Sequence, residues 1–166
     1  MANVLDYSTD NCSIGRALSV LGEKWTMLVL RDVFNGVRRF EDMHERIGAP
    51  RQVLSHRLGR LVDEGLLRRV PYREQGQRQR NEYRLTEKGL DLYPALVALL
   101  RWGDRWLVDM DGPSVTLHHK DCGAQIDVTV RCAEGHELAS ARDARPQPGP
   151  GARLRPVAVA DTPAGS

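Results

Sequence analysis

The sequence predicts a mainly α-helical chain with one small β-hairpin, which is an α+β fold. Three observations lead to this class. Apolar residues recur at helical spacing through residues 13–63. Two short stretches, 66–72 and 81–85, flank a polar loop that contains glycine, which is the pattern of a β-hairpin. A last helical pattern runs from Thr86 to Trp106.

The positive charge of the chain is concentrated in one segment. The 166 residues are enough for one domain with extensions, and their formal net charge is only +2. Residues 37–84 nevertheless contain twelve arginines against seven acidic residues, a surplus of five positive charges. Such a segment is typical of a surface that contacts phosphate, although an arginine set without lysine also arises in GC-rich genomes.

The N-terminal residues carry no pattern of a secretion signal. Residues 1–12 contain no basic region followed by an apolar run, and no apolar stretch of the chain approaches the roughly 20 residues of a membrane span. We therefore expect a cytoplasmic protein without a membrane partner. Its three cysteines are widely spaced and odd in number, so we expect reduced thiols and no disulfide framework.

Three helices are predicted ahead of the helix that carries most of the polar residues of interest. The first extends from about residue 13 to Gly22, and the second, over 24–35, is apolar on most sides and should be central and buried. A short third helix over 40–47 is broken by Gly48-Ala49-Pro50. The apolar faces of the first and third helices contain Ile14, Leu18, Leu21, Phe40, Met43 and Ile47.

The fourth helix begins at Pro50 or Arg51 and ends before Gly65. Two helices joined by a turn of about three or four residues, the second with basic and amide side chains facing outward, form a helix-turn-helix whose second helix lies in the major groove. The buried stripe contains Leu54, Leu58, Leu61 and Val62, and the exposed side contains Arg51, Gln52, Ser55, His56, Gly59 and Arg60.

The hairpin that follows resembles a wing. Its tip, residues 73–80, is polar and basic, so it is poorly suited to a core and well suited to a DNA backbone or minor groove. Together with the preceding helices it predicts a winged helix-turn-helix. The last helix, capped by Thr86 and kinked at Pro94, has apolar residues on two faces, which predicts a homodimer that binds a palindromic operator.

Three regions divide the chain. Residues 1–110 form the DNA-binding and dimerisation domain, and residues 111–140 form a small extension that is a β-hairpin or resembles a zinc ribbon. Residues 141–166 are rich in proline, glycine and alanine, a composition that predicts a disordered tail.

Six short motifs in order resemble the HxlR-type winged helix-turn-helix regulators of bacteria, relatives of the MarR group, over about residues 11–106. The resemblance implies a homodimeric, sequence-specific repressor or activator that binds double-stranded DNA. It implies groove contacts from the recognition helix and backbone contacts from the wing. The motifs are Cys12, Gly22-Glu23-Lys24-Trp25, Gly36-Val37-Arg38-Arg39-Phe40, Leu54-Ser55-His56-Arg57-Leu58, Gly65-Leu66-Leu67-Arg68-Arg69 and Tyr83-Arg84-Leu85-Thr86-Glu87-Lys88-Gly89.

The resemblance implies two groups of DNA-contacting residues: Arg51, Gln52, Ser55 and His56 on the recognition helix, and Arg78 and Arg80 on the wing. Those of the recognition helix are expected to read base edges, since arginine can bond guanine and glutamine can bond adenine through two hydrogen bonds each. Any single arginine could instead solvate the surface or pair with Asp63 or Glu64. The full set is Arg39, Arg51, Gln52, Ser55, His56, Arg57, Arg78 and Arg80.

Cys12 is a candidate redox sensor. A thiol in the first turn of a helix lies near the positive end of the helix dipole, which favours the reactive thiolate. The resemblance supports this role, since some HxlR-type proteins sense disulfide stress, quinones or aldehydes through a cysteine at this place. The alternative is a cysteine that only packs as a small apolar residue.

A second group of cysteine and histidine residues follows the last helix. His119 and Cys122 are separated by two residues, Cys132 and His136 by three, and nine residues lie between the pairs. Four such ligands could hold a tetrahedral Zn²⁺, the only cofactor that the sequence suggests. A hairpin without metal explains the same residues.

Other function classes are less consistent with the sequence. The chain contains no nucleophile–base pair, HExxH motif or phosphate loop, so we expect no enzyme. The alternative function is a winged-helix module that binds proteins, or a thiol- or metal-based sensor without direct DNA binding. The effector is not defined by the sequence.

Overall fold

A computed structural model describes residues 7–155 of the chain. Helices and strands follow one another in the order that the sequence predicts, with ends that differ by one or two residues up to Leu85. They are α1 (Ser13–Leu21), α2 (Lys24–Phe34), α3 (Phe40–Ile47), α4 (Arg51–Asp63), β1 (Leu67–Tyr72), β2 (Arg80–Leu85), α5 (Glu87–Leu90) and α6 (Tyr93–Trp106).

The core forms around α2, which packs against α3, α4 and the second strand. Leu30 of α2 and Leu58 of α4 are both buried, and Met43 fixes α3 to the same cluster. The predicted central position of α2 is therefore confirmed. Asp32 is a buried carboxylate in α2, and helical spacing alone does not predict its burial.

The turn between α3 and α4 is held by two local features. Gly48 has a φ of +70°, a left-handed conformation that costs glycine little and other residues more. The ring nitrogen Nδ1 of His44 lies 2.9 Å from the carbonyl oxygen of Ala49, to which it donates a hydrogen bond. The two helices thus meet at the short connection that a helix-turn-helix requires.

The hairpin pairs β1 and β2 antiparallel, in a register from Leu67 opposite Leu85 to Tyr72 opposite Arg80. A further bridge pairs Arg39 with Glu82, which attaches the segment before α3 to the wing. The wing is therefore tied to the helix-turn-helix through the backbone.

The last helix is broken rather than kinked. Thr86 caps α5 as predicted, since its hydroxyl oxygen accepts a hydrogen bond from the backbone N–H of Gly89 at 3.1 Å. The continuous helix predicted from Thr86 is wrong, because α5 ends at Leu90 and α6 begins at Tyr93. Pro94 lies in the first turn of α6, where a backbone N–H is not needed. Because proline has no N–H, it cannot donate the hydrogen bond that would continue α5 into α6.

Gly89 offers a test of how closely α5 packs on the hairpin. A Cβ at this position would lie far inside van der Waals contact of the Leu66 carbonyl oxygen and 3.0 Å from Cδ2 of Leu85. We expect Gly89→Ala to lower the free energy of unfolding by about 1–3 kcal/mol, because backbone must move. Urea denaturation at fixed protein concentration measures the change.

The matched control for this substitution is Gly59→Ala in the middle of α4. A Cβ there meets no atom within 4 Å, so alanine should raise stability by about 0.5–1 kcal/mol through its better helix propensity. Equal effects at the two glycines would contradict the close approach of α5 to Leu66.

The extension after α6 differs from the predicted hairpin. No strand forms over 126–130. Instead there are two tight turns, each closed by a single bridge, His118 with Gln125 and Arg131 with Glu137. Gly123 and Gly135, with φ of +70° and +83°, lie in these turns, and the backbone bonds beside them, such as Ile126 N–H to Leu117 and Leu138 N–H to Val130, are too few to form strands.

The proline-rich segment is described as far as residue 155. The composition predicts disorder from residue 141, and residues 156–166 lie outside the described residues. In the described part, the Ser8 N–H donates to the Arg153 carbonyl at 2.7 Å and Tyr7 bridges with Leu154, and the disorder of the tail stays a prediction. These bonds give hydrogen-bond partners to backbone N–H and C=O groups that lie outside helices and sheets. Within residues 7–155, no helix is both long and apolar enough to cross a membrane.

Candidate nucleic-acid interface

The outer face of α4 is a polar surface, which we call the reading face: Arg51, Gln52, Ser55 and His56. All four residues are exposed. Their exposure follows from the helical period, because Leu54, Leu58 and Leu61 lie on the opposite side and are buried in the core. The structure therefore brings together the four groove-facing residues that the sequence analysis selected.

Arg51 is already engaged within the chain. Its Nη1 and Nη2 donate to the two carboxylate oxygens of Glu41 at 2.7 Å and 2.6 Å, a bidentate pair between α4 and α3. The guanidinium also lies 5.0 Å from the ring centroid of Phe40. Hydrogen bonding to Arg51 lowers the pKa of Glu41, and the pair raises the pKa of Arg51. The arginine is held in one orientation and keeps 58% of its side chain exposed.

Arginines lie on the tip of the wing and beside it. Arg78 and Arg80 are exposed, and the positive charge of Arg80 adds a smaller lowering of the Glu41 pKa. Arg39, in the segment before α3, pairs with Glu74 of the tip at 2.7 Å and lies 4.6 Å from the ring centroid of Tyr72. Arg39 therefore fixes the wing while about half of its side chain remains accessible.

Arg57 does not belong to the reading face. Its side chain is only 15% exposed, and it pairs with Glu23, in the turn between α1 and α2, at 3.1 Å. Its Nε is buried without a hydrogen-bond partner among residues 7–155. One turn further along, Arg60 donates to the carbonyl oxygen of Ser19. Both arginines attach α4 to the N-terminal part of the domain, and a DNA contact of Arg57 stays a prediction.

Glu41 is the residue that the sequence analysis missed at this surface. Helical spacing within α3 puts Glu41 on the solvent side, where the structure has it, but its partner lies ten residues away on another helix. Helical spacing predicts neighbours within one helix, and only the angle between two helices brings Glu41 and Arg51 together. No sequence signal available for a single chain identifies such a pair.

The family model described as HxlR-like helix-turn-helix matches residues 20–111, more than half of the chain. The chain belongs to this HxlR-like family. A relative from Mycobacterium tuberculosis, named an uncharacterized HTH-type transcriptional regulator, is 44% identical over 151 residues, which cover 91% of this chain and 94% of the relative. A second, from Synechocystis and named in the same way, is 35% identical over 97 residues and covers 58% of this chain and 70% of the relative.

Two solved structures show that the HxlR-like fold extends over most of the described chain. The protein PA1607, named as a candidate transcription factor, is 37% identical with a TM-score of 0.74 and covers 83% of this chain and 95% of its own. A candidate transcriptional regulator of the MarR family from Enterococcus faecalis is 31% identical with a TM-score of 0.50 and covers 63% and 93%. The predicted resemblance and the winged-helix fold class are confirmed.

Proposed function

We propose that this HxlR-like chain is a sequence-specific DNA-binding regulator that acts as a homodimer on a palindromic operator. One observation carries the proposal: a helix-turn-helix exposes Arg51, Gln52, Ser55 and His56 on the second helix, beside a wing with exposed arginines. In such folds the second helix lies in the major groove, and side chains of these types bond base edges there. The relatives named above as transcriptional regulators support it.

The division of work within the surface follows from the chemistry of its side chains. Gln52 can bond adenine, and Arg51 can bond guanine once it leaves Glu41, so both are proposed to read sequence. Arg78 and Arg80 lie on the wing, where they are proposed to contact phosphate or the minor groove. Arg39, fixed by Glu74, is proposed as a backbone contact beside the wing tip.

Exposed apolar side chains on two helices support a dimer. Leu99, Trp102 and Trp106 follow one face of α6 and are 52%, 53% and 63% exposed. On α1, Ile14 and Leu18 are one turn apart and are 71% and 58% exposed, and that helix has no buried residue. A monomer that leaves large apolar residues in rows rather than singly presents an association surface. A second copy of the chain is the partner that we propose.

We propose that the protein represses transcription, because a dimer bound to a promoter blocks RNA polymerase sterically. Deletion of the gene should then raise expression of a reporter joined to the bound promoter. Reduced expression would instead identify an activator.

A gel-shift titration on the intergenic DNA upstream of the gene tests DNA binding. We expect retarded mobility at low salt and a log–log salt dependence with a negative slope, because phosphate contacts release counterions. A shuffled duplex of the same length should bind more weakly, and loss of that difference would leave only non-specific binding. Unchanged mobility at low salt would favour the protein-binding winged-helix module instead.

Cys12 is proposed as the thiol switch of this regulator. The structure places it at the N-cap of α1, exposed, with its side chain making no capping hydrogen bond. Its position on the helix that carries Ile14 and Leu18 links its modification to the proposed dimer surface.

After treatment with diamide or benzoquinone, we expect mass spectrometry to find Cys12 modified and operator affinity to fall. The Cys12→Ser variant should keep its affinity under the same treatment, while Cys122→Ser should respond as the natural chain does. An unmodified Cys12 with unchanged affinity would contradict the switch.

The zinc site stays a prediction. His119 accepts a hydrogen bond from the Cys122 N–H at 3.4 Å, and Sγ of Cys132 lies 3.5 Å from Nδ1 of His136, so each pair is local to one turn. Among residues 7–155, no group of three or more His, Cys, Asp or Glu side chains could hold a metal ion. Elemental analysis of protein purified without a His-tag decides between zinc and the alternative without metal.

A further inference from the structure

A cavity of about 380 Å³ lies between α2, α6 and the segment that follows α6. Its volume falls within the range of roughly 300–1,000 Å³ that is typical of small-molecule sites. Most of its wall is apolar and comes from all three parts of the chain. The apolar lining includes Leu28, Phe34, Leu96, Leu100, Val115 and Leu117.

The polar part of the wall contains two arginines, Arg31 of α2 and Arg46 of α3. Both bond the same carboxylate, that of Asp32. Arg31 donates from Nε and Nη2 to Oδ1 at 2.9 Å and 2.8 Å, and Arg46 donates from Nε to Oδ2 at 3.3 Å. The side chain of Asp32 is completely buried behind them, whereas those of Arg31 and Arg46 are 43% and 55% exposed.

This arrangement leaves a surplus of positive charge at the cavity. Two guanidinium groups face one carboxylate, and the two terminal nitrogens of Arg46 have no hydrogen-bond partner within residues 7–155. Beside an apolar wall, which holds few water molecules, such donors bond an anion more strongly than they would in open solvent. An occupant with an apolar body and one negative group would match both parts of the wall.

We propose that this cavity binds a small carboxylic acid with an apolar body. The body packs against the leucines and Phe34, and the carboxylate accepts hydrogen bonds from Arg46 and from Arg31. A neutral compound of the same shape meets the same apolar wall but leaves the positive charge without a partner. The site is thus selective for the ionised acid.

The position of the cavity couples it to the rest of the domain. Arg46 belongs to α3, the first helix of the helix-turn-helix, and Leu96 and Leu100 belong to α6. An anion on the terminal nitrogens of Arg46 shares this guanidinium with Asp32, whose bond to Nε connects α3 to α2. A bound acid therefore changes the position of α3 relative to α6. The expected effect of this change on operator affinity rests on the proposed function.

Isothermal titration calorimetry with the full chain tests the site. The probe is 1-naphthoate, and 1-naphthalenemethanol is the neutral comparison with the same ring system. We expect 1-naphthoate to bind at least about tenfold more tightly, because it adds charge-assisted hydrogen bonds. Failure of 1-naphthoate to bind, or equal affinities for the two compounds, would overturn the proposal.

Three variants locate the binding. Arg46→Met keeps the apolar stem of the side chain and should weaken 1-naphthoate about tenfold while leaving the neutral compound unchanged. Arg142→Met, at an exposed position outside the cavity, is the control and should change neither. Val115→Trp should fill the cavity from its exposed edge and abolish binding of both compounds. Circular dichroism establishes that each variant is folded.

Two further measurements separate this proposal from its alternatives. If Val115→Trp converts the protein to monomers, the cavity is the seat of a second copy and the small-molecule site is wrong. Saturating 1-naphthoate should change operator affinity by about fivefold or more, a typical coupling between two sites. Binding of 1-naphthoate without any operator binding would refute the proposed function and leave the site intact, while unchanged operator affinity would refute only the coupling.

Discussion

Replacing both Arg51 and Gln52 by alanine should weaken operator binding by about 30-fold to 10⁴-fold, since each lost base contact costs about 5-fold to 150-fold in affinity. Both side chains are exposed on α4 and contribute nothing to its buried stripe. The fold should therefore survive the double substitution. Quantitative gel shifts on the operator, at one stated salt concentration, measure the loss.

The control for this variant is Arg145→Ala with Gln147→Ala, which removes the same two side-chain types from exposed positions far along the chain. It should leave operator affinity within about twofold, because these positions lie outside the reading face. A second comparison is Arg78→Ala, which should weaken operator and shuffled DNA alike, as expected for a phosphate contact. A double variant that keeps full specificity would show that α4 is not the reading helix.

Replacing Trp102 and Trp106 by glutamate should convert the protein to monomers and weaken operator binding by about 10²-fold to 10⁴-fold. This factor is the avidity that a dimer gains, because once one subunit has bound its half-site, binding of the other subunit to the second half-site is intramolecular. Charged groups at these positions cannot be buried against a second copy without a large desolvation cost. Analytical ultracentrifugation gives the mass, and a gel shift gives the affinity.

Val130→Glu is the matched control, because Val130 is an apolar residue that is 62% exposed but lies outside α6. It should remain dimeric with unchanged operator affinity. If the double tryptophan variant stays dimeric, the partner surface is elsewhere, and α1 with Ile14 and Leu18 is the next region to test.

The helices up to Asp63 could be predicted because each signal is local. Apolar periodicity gives the buried stripe of α4, and a glycine such as Gly48, with a left-handed φ, marks the helix end. The hairpin could be predicted because two short strand-like stretches lie on either side of a polar tip. The separation of α5 from α6 was missed, because proline in a helical pattern predicts either a kink or a first turn and spacing does not choose between them.

The functional roles of single charged residues could not be predicted in the same way. Arg57 and His56 are neighbours in the chain, yet Arg57 turns to Glu23 while His56 faces outward. Asp32 lies among the apolar residues of α2, where bonds from its neighbour Arg31 and from Arg46 of α3 make its burial tolerable. These outcomes depend on which helices meet, and helix contacts are not encoded within any short window of sequence.

The bidentate pair between Arg51 and Glu41 gives the proposed regulator a means of rejecting wrong sites. DNA that offers no guanine edge at this position leaves the guanidinium paired with its carboxylate, and this neutral pair gives no charge-based attraction to the nearby phosphates. Only a sequence that provides two acceptors in the right plane can replace both bonds at once. Glu41 therefore acts as an internal competitor for the base, and selectivity at that base pair depends on the carboxylate as much as on the arginine.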